Sequence, residues 1–382
     1  MHAALRTVAH ALTLLLAVAC GAERSEERSG RHGSDSGIGE GTPDASSAFT
    51  VPWASSPFPT VVAPNDNPTT DSKIALGRLL FYDPILSVDG QVACATCHSE
   101  VWGMTDGLPV SVGHGSGLKS GPGRTGSHRS RRNAPTLWNV AFRENLFWDG
   151  RAASLEDQVR FPFESVDEFD RSFAEVVLEL AKIPAYGRLF SEAFGDEAGN
   201  SITEVNTTRA FAAFERTLIS RRGLYDAFVD GDLAAMNPHM ISGMKLFASE
   251  GCLDCHQPPL FSSERFEDRG VPAIRGIDDA GRYETTHDER DRNRFKVPGL
   301  RNLRDTAPYF HTGAVDTVEM AVRREVERSV ASDGRRALSD TEIQDLSDFI
   351  SKGLIDSRNA PTRPYEVPSG LPVPIDGFAI RR

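Results

Sequence analysis

The sequence has no apolar run long enough to cross a bilayer as a helix. Its longest, ALTLLLAVA over residues 11–19, falls well short of the ~20 residues a span needs. Preceded by Arg6 and leading through small residues into Cys20, it reads as an export signal ending in a bacterial lipobox, with Ala17 where leucine is usual. Cys20 is then the lipidated residue, which places the chain on the periplasmic side of a bacterial membrane, attached only through that anchor. Alternating strand patterns are also missing, and helix-spaced apolar residues separated by Gly-, Pro- and Arg-rich loops predict a mostly α fold with long loops. Positive charge is in deficit: the net charge is −12, or −13 once Arg6 leaves with the signal, which argues against a nucleic-acid partner.

Cysteine is scarce, and its distribution is informative. With Cys20 assigned to the signal, the other four of the five form two C-x-x-C pairs, each followed at once by histidine: CATCH, with Cys94, Cys97 and His98, and CLDCH, with Cys252, Cys255 and His256. A four-cysteine zinc site does not need a histidine beside each pair, and C-x-x-C bridges are strained and reducible rather than structural. Two C-x-x-C-H motifs that exhaust the cysteines of an exported chain predict two covalently bound c-type haems, with His98 and His256 as the proximal iron ligands.

A short echo supports a duplicated haem unit: GRLLF (77–81) precedes the first motif and GMKLF (243–247) the second. Helical patterns cover 154–161, 173–183, 202–220, 316–330 and 339–354, with Ser154 a plausible N-cap. The long loops 113–135 and 266–298 suit covers over prosthetic groups. The organisation expected is a signal peptide over 1–20, a flexible tether over 21–70, a haem domain over 71–235, a second over 236–355, and a Pro-rich tail over 356–382.

Several blocks in series then carry a family likeness: LGRLLFYDPILS, CATCH, VSVGHG, RRNAPTLWNVAF, FWDGRAASLEDQ, AFERTLIS, CLDCH, FKVPGLRNLRDTAPYFHTGA and LSDTEIQDLSDFI. From about Ile74 to Leu354 the chain resembles the bacterial di-haem cytochrome c peroxidases and the related MauG-like enzymes. The resemblance implies two cytochrome c-like haem domains, the N-terminal one peroxidatic and the C-terminal one for electron transfer. It implies hydrogen peroxide as substrate and a small c-type cytochrome or cupredoxin as electron donor, and it allows a homodimer. The rivals are a MauG-like oxidase that modifies Trp or Tyr of a partner protein, and a non-catalytic electron carrier or redox sensor.

Roles for single residues follow from the same resemblance. His114 in VSVGHG matches a histidine that takes the sixth position on the first haem and leaves on activation. Glu168 matches the catalytic carboxylate and Gln158 a neighbour able to hydrogen-bond peroxide, although Glu164 and Asp167 leave the register open by a residue or two. Trp148 matches the tryptophan between the haems. Asn133 with the carbonyls of Thr306 and Pro308 matches an inter-haem Ca2+ site, for which oxygen ligands are suited. At the second haem the family's methionine or MauG's tyrosine is missing: counting fourteen residues from His311 reaches Glu325. Met320 lies some 140° around the helix from it, and His287 is a third candidate. Without a thioether the second haem is expected to have a low potential.

Overall fold

The computed structural model describes residues 57–195, 200–272, 276–356, 358 and 360–377. Cys20, the signal segment and most of the tether lie outside the described residues. Among the described residues no helix is long and apolar enough to cross a membrane.

The structure is mostly helical, and among the described residues the sheets are built from two-residue strands. Lys119–Ser120 pairs in parallel with Ile375–Asp376, and Phe266–Glu267 pairs antiparallel with Phe295–Lys296. Apolar side chains gather into two clusters. The first is built on Leu76, Leu80, Phe81, Phe163, Phe211 and Phe214, and the second on Tyr225, Met244, Phe247, Phe261, Leu346 and Phe349.

Each cluster has the same helix pair at its centre, and the sequence echo explains why. The Asp71–Tyr82 helix starts at an N-cap, Thr70, and crosses the Glu204–Glu215 helix at Gly77, where a Cβ would lie 2.0 Å from the Ala210 carbonyl oxygen. The Pro238–Ser249 helix starts at Asn237, whose side chain accepts from the Met240 amide. It crosses Asp340–Asp348 at Gly243, where a Cβ would lie 1.9 Å from the Asp345 carbonyl oxygen. In both crossings the next obstacle is the Cβ of a phenylalanine four residues on, Phe214 or Phe349. Glycine is therefore required by backbone approach, and the leucine and phenylalanine of each Gly-x-x-Leu-Phe lie three and four residues further along the same helix. Gly77→Ala and Gly243→Ala should each cost about 1–3 kcal/mol, seen as a lowered unfolding midpoint. Gly187→Ala, in a helix where a Cβ meets nothing within 4 Å, should instead gain up to ~1 kcal/mol. A neutral Gly77→Ala would refute the close-approach account.

Two helical stretches differ from expectation. The 154–161 pattern begins as predicted, with Ser154 Oγ accepting from the Asp157 amide at 3.1 Å, but breaks at Val159 into Leu155–Gln158 and Arg160–Glu164. The 339–354 pattern runs as α-helix over Asp340–Asp348 and widens to a π-turn over Phe349–Gly353. The Pro-rich tail returns over the N-terminal cluster. Val367 is buried there, Ser369 Oγ donates to Asp83 at 2.7 Å, and Arg363 bridges Glu100 at 2.9 Å and Asp376 at 2.7 Å.

Candidate functional site

Both C-x-x-C-H motifs fold as one tight turn, and both turns open on a shared cavity. In the first, Cys94–Cys97 is a single helical turn in which Thr96 Oγ1 accepts from the Ala93 amide at 3.0 Å and the His98 amide donates to the Cys94 carbonyl at 2.9 Å. His98 Nδ1 donates to the Met104 carbonyl at 3.0 Å. Met104 holds the left-handed conformation, φ 62°, fixed by its amide donating to the Ser99 carbonyl at 2.8 Å. In the second, the His256 amide donates to the Cys252 carbonyl at 2.9 Å and Nδ1 to the Phe261 carbonyl at 3.1 Å, with Phe261 at φ 53°.

A carbonyl can only accept, so each Nδ1 carries the proton and each Nε2 is left with a lone pair for iron. Burial enforces the same state, holding His98 below the usual imidazole range and pushing His256 down to about 4. All four thiols are free of disulfides. The cavity has a volume of about 1870 Å³, above the ~300–1,000 Å³ of ordinary small-ligand sites, and carries Cys97, His98, Cys252, Cys255 and His256 on its wall. Lys296, on the same wall, is pushed down to about 7 by burial and then by Arg143, with Glu264 opposing. Such an under-compensated cation favours an anionic group, and haem carboxylates supply one. The thiols, the tautomers, the volume and the charge all fit two c-type haems.

On the first half of the wall lie Glu168 and Gln158. Burial pushes the Glu168 carboxyl up to about 7, against the opposing pull of Arg151 and a hydrogen bond from Ser165. Asp167 also reaches the cavity, whereas Glu164 is exposed and does not.

His114 is not on the cavity wall. Its Nε2 lies 3.1 Å from the Val166 carbonyl and 3.7 Å from Asp170, its ring stacks on His128 at 3.8 Å, and its amide donates to the Glu168 carbonyl at 3.0 Å. Gly113 explains the fixed position: a Cβ there would meet the Asp167 carbonyl oxygen at 2.0 Å, so the loop is seated against the Glu168 segment. The stacking partner, His128, comes from the same glycine-rich loop.

Trp148 also lines the cavity, its Nε1 donating to the Asn133 carbonyl at 2.9 Å and its own carbonyl accepting from the Lys296 amide at 2.8 Å. Its ring meets His311 edge-on at 6.2 Å, and His311 stacks flat on Phe295 at 3.5 Å. Burial pushes His311 down to about 4, so this aromatic file is neutral. Sequence reading used His311 only as a counting mark; its place in a motif-dense segment was the available signal. Asn133, Thr306 and Pro308 share the wall as well. Asn133 Nδ2 is spent on the Leu108 carbonyl at 2.8 Å, and the Thr306 hydroxyl on the Leu303 carbonyl at 3.0 Å, so Asn133 Oδ1 and the backbone carbonyls are the atoms left for a cation.

At the second turn Glu325 reaches the cavity from the Val318–Asp333 helix, and Met320 does not. Met320 is 53% exposed and faces solvent, which removes it as a ligand: five residues of helix carry it to the opposite side. Arg269 donates through Nε to Glu325 Oε2 at 2.7 Å, while Oε1 is buried without a hydrogen-bond partner. His287 ends the Tyr283–Thr286 turn against the Tyr283 ring and is not on the wall.

Comparison with known proteins agrees with this architecture. A family profile described as di-haem cytochrome c peroxidase matches residues 71–234. The chain is 36% identical to the cytochrome c551 peroxidase of Nitrosomonas europaea over 249 residues, 65% of this chain and 70% of that protein. It is 38% identical to the methylamine utilization protein MauG of Methylorubrum extorquens over 257 residues, 67% and 69% of the two chains. Among solved structures it is similar to a MauG-like protein associated with microbial copper homeostasis, with a TM-score of 0.69 and 28% identity over 80% of this chain and 95% of that one. The chain belongs to the di-haem cytochrome c peroxidase and MauG family.

Proposed function

We propose that the protein is a peroxidase that reduces hydrogen peroxide to water with electrons from a small c-type cytochrome or cupredoxin. The observation that carries this reading is the enclosed Glu168 carboxyl on the wall beside the His98 turn, with Gln158 on the same wall. A haem held by Cys94, Cys97 and His98 would supply an iron able to bind peroxide and to exchange single electrons. Glu168 takes the proton from the near peroxide oxygen and returns it to the departing one, and Gln158 orients the substrate by hydrogen bonding. The Trp148–His311–Phe295 file offers a packed aromatic route between the 71–235 and 236–355 haem units, and Asn133, Thr306 and Pro308 would hold Ca2+ through their oxygen atoms.

The sign of the pH dependence follows from Glu168. It must be ionised to accept a proton, and below about 7 it is protonated, so kcat/KM for peroxide should fall as pH drops through that value. A pH profile flat down to 5 would remove Glu168 from the role.

A MauG-like oxidase is the second reading, favoured by Glu325 standing where a methionine is expected and by His114 lying away from the cavity. Peroxide-dependent oxidation of a small cytochrome separates the two, because the oxidase reading predicts slow turnover with such a donor and modification of a partner side chain.

A further inference from the structure

The Glu204–Glu215 helix ends in a carboxyl that the reading above does not use. Glu215 is 5% exposed, lies on the cavity wall, and has its Oε2 buried without a hydrogen-bond partner. Glu156, whose carboxylate acts on Glu215 electrostatically, takes hydrogen bonds from Asn67 and Arg216, each at 2.7 Å, on Oε1 and is 21% exposed. Arg216 in turn lines a surface pocket walled by Val61, Pro64, Asn65 and Thr69. The Arg216–Glu156 pair thus links a surface pocket to the electrostatic surroundings of Glu215 on the cavity wall.

The stoichiometry requires a path for protons. Peroxide reduction breaks one O–O bond and forms two O–H bonds, H2O2 + 2e⁻ + 2H⁺ → 2H2O, the electrons coming one at a time from the donor protein. Glu168 only moves a proton from one peroxide oxygen to the other, so both consumed protons must be imported. We propose that Glu215 is a proton-relay acid of the first haem's pocket, releasing a carboxyl proton into the cavity and regaining one from solvent by way of Glu156. The inference rests on the peroxidase reading for the use of that proton, not for its presence.

The electrostatics agree. Burial and then the Glu156 carboxylate push Glu215 up to about 8, with Arg216 opposing, so it is neutral and able to donate at pH 7. The other charges around this corner are Lys73, tied to Asn67 Oδ1 and the Pro68 carbonyl, each at 3.1 Å, and Arg209, paired with Asp66 at 2.8 Å.

The test uses the holoenzyme with both haems. Peroxidase turnover should fall above about pH 8 in the wild type as Glu215 ionises. E215Q should lose that alkaline limb and lower kcat by about 10²-fold or more, with unchanged haem absorption. E215D, which keeps an exchangeable proton, should retain the limb at intermediate rate. Infrared difference spectra should show a protonated-carboxyl C=O band that titrates with the limb and is missing from E215Q. E215Q with the kcat and pH profile of the wild type, or an infrared band unchanged by it, would overturn the proposal. A wild-type holoenzyme that does not turn over peroxide would overturn the peroxidase reading, and the infrared band would still decide whether Glu215 carries the proton.

Discussion

Glu168→Gln lowers kcat for peroxide by about 10²- to 10⁴-fold and leaves both haems attached. The size follows from the chemistry that glutamine cannot do, since its amide matches the volume and polarity of the carboxyl but neither accepts nor returns a proton at the departing oxygen. Folding should be untouched, because the variant removes a group that is strained by burial rather than one that stabilises. Its carboxyl is pushed up to about 7, so ionising it costs folding free energy. That contribution is absent below the unfolded-state pKa and grows as pH rises through the folded one. The variant should therefore be at least as stable as the wild type at pH 8. Single-turnover kinetics with stoichiometric peroxide check the first expectation, and unfolding at pH 5 and pH 8 the second. Full turnover in E168Q would assign the proton transfer to another group on the wall.

Glu325→Met raises the midpoint potential of the second haem by on the order of 0.1 V, a fraction of the ~0.8 V that axial ligands span across haem proteins. Glu325 reaches the cavity with one oxygen held by Arg269 and the other without a partner. An anionic oxygen beside the iron favours the ferric state, whereas a thioether favours the ferrous one. The substitution also leaves Arg269 without its carboxylate, a loss of roughly 1–3 kcal/mol for a partly buried charged pair. Spectroelectrochemical titration of the holoenzyme reads the shift, and a methionine charge-transfer band should appear with it. An unchanged potential would place Glu325 away from the iron and leave its role as the anchor of Arg269.

What could be read from the sequence was local, and what could not was the facing of side chains across the fold. The C-x-x-C-H turns were legible because covalent haem attachment needs both thiols and the histidine in consecutive positions. The left-handed Met104 and Phe261, whose carbonyls orient His98 and His256, carry no comparable signal, since neither residue type favours that conformation. The Gly-x-x-Leu-Phe echo was visible as a repeat, but its cause, a helix backbone pressed against each glycine, depends on partners more than a hundred residues away. Met320 and Glu325 are neighbours in sequence and opposites on a helix, and helical phase decides between them once the buried face is known. The partner of Glu325, Arg269, is 56 residues distant. Glu215 sat within AFERTLIS as one more helical acid until its burial separated it from the solvated ones. His114 was legible as a histidine near the first haem, while its stacking on His128 depends on how a glycine-rich loop folds back.

The proposed function makes one central claim, that the His98 side of the cavity is an open reaction site supplied with electrons from the His256 side. Electron paramagnetic resonance of the holoenzyme, fully oxidised, half-reduced and then treated with stoichiometric peroxide, tests it most directly. An open high-spin site on the first haem, present without bound His114 and lost on peroxide addition as a reduced donor cytochrome is oxidised, is the predicted result. Two low-spin, six-coordinate haems in both redox states, indifferent to peroxide, would contradict the account and make the chain an electron carrier.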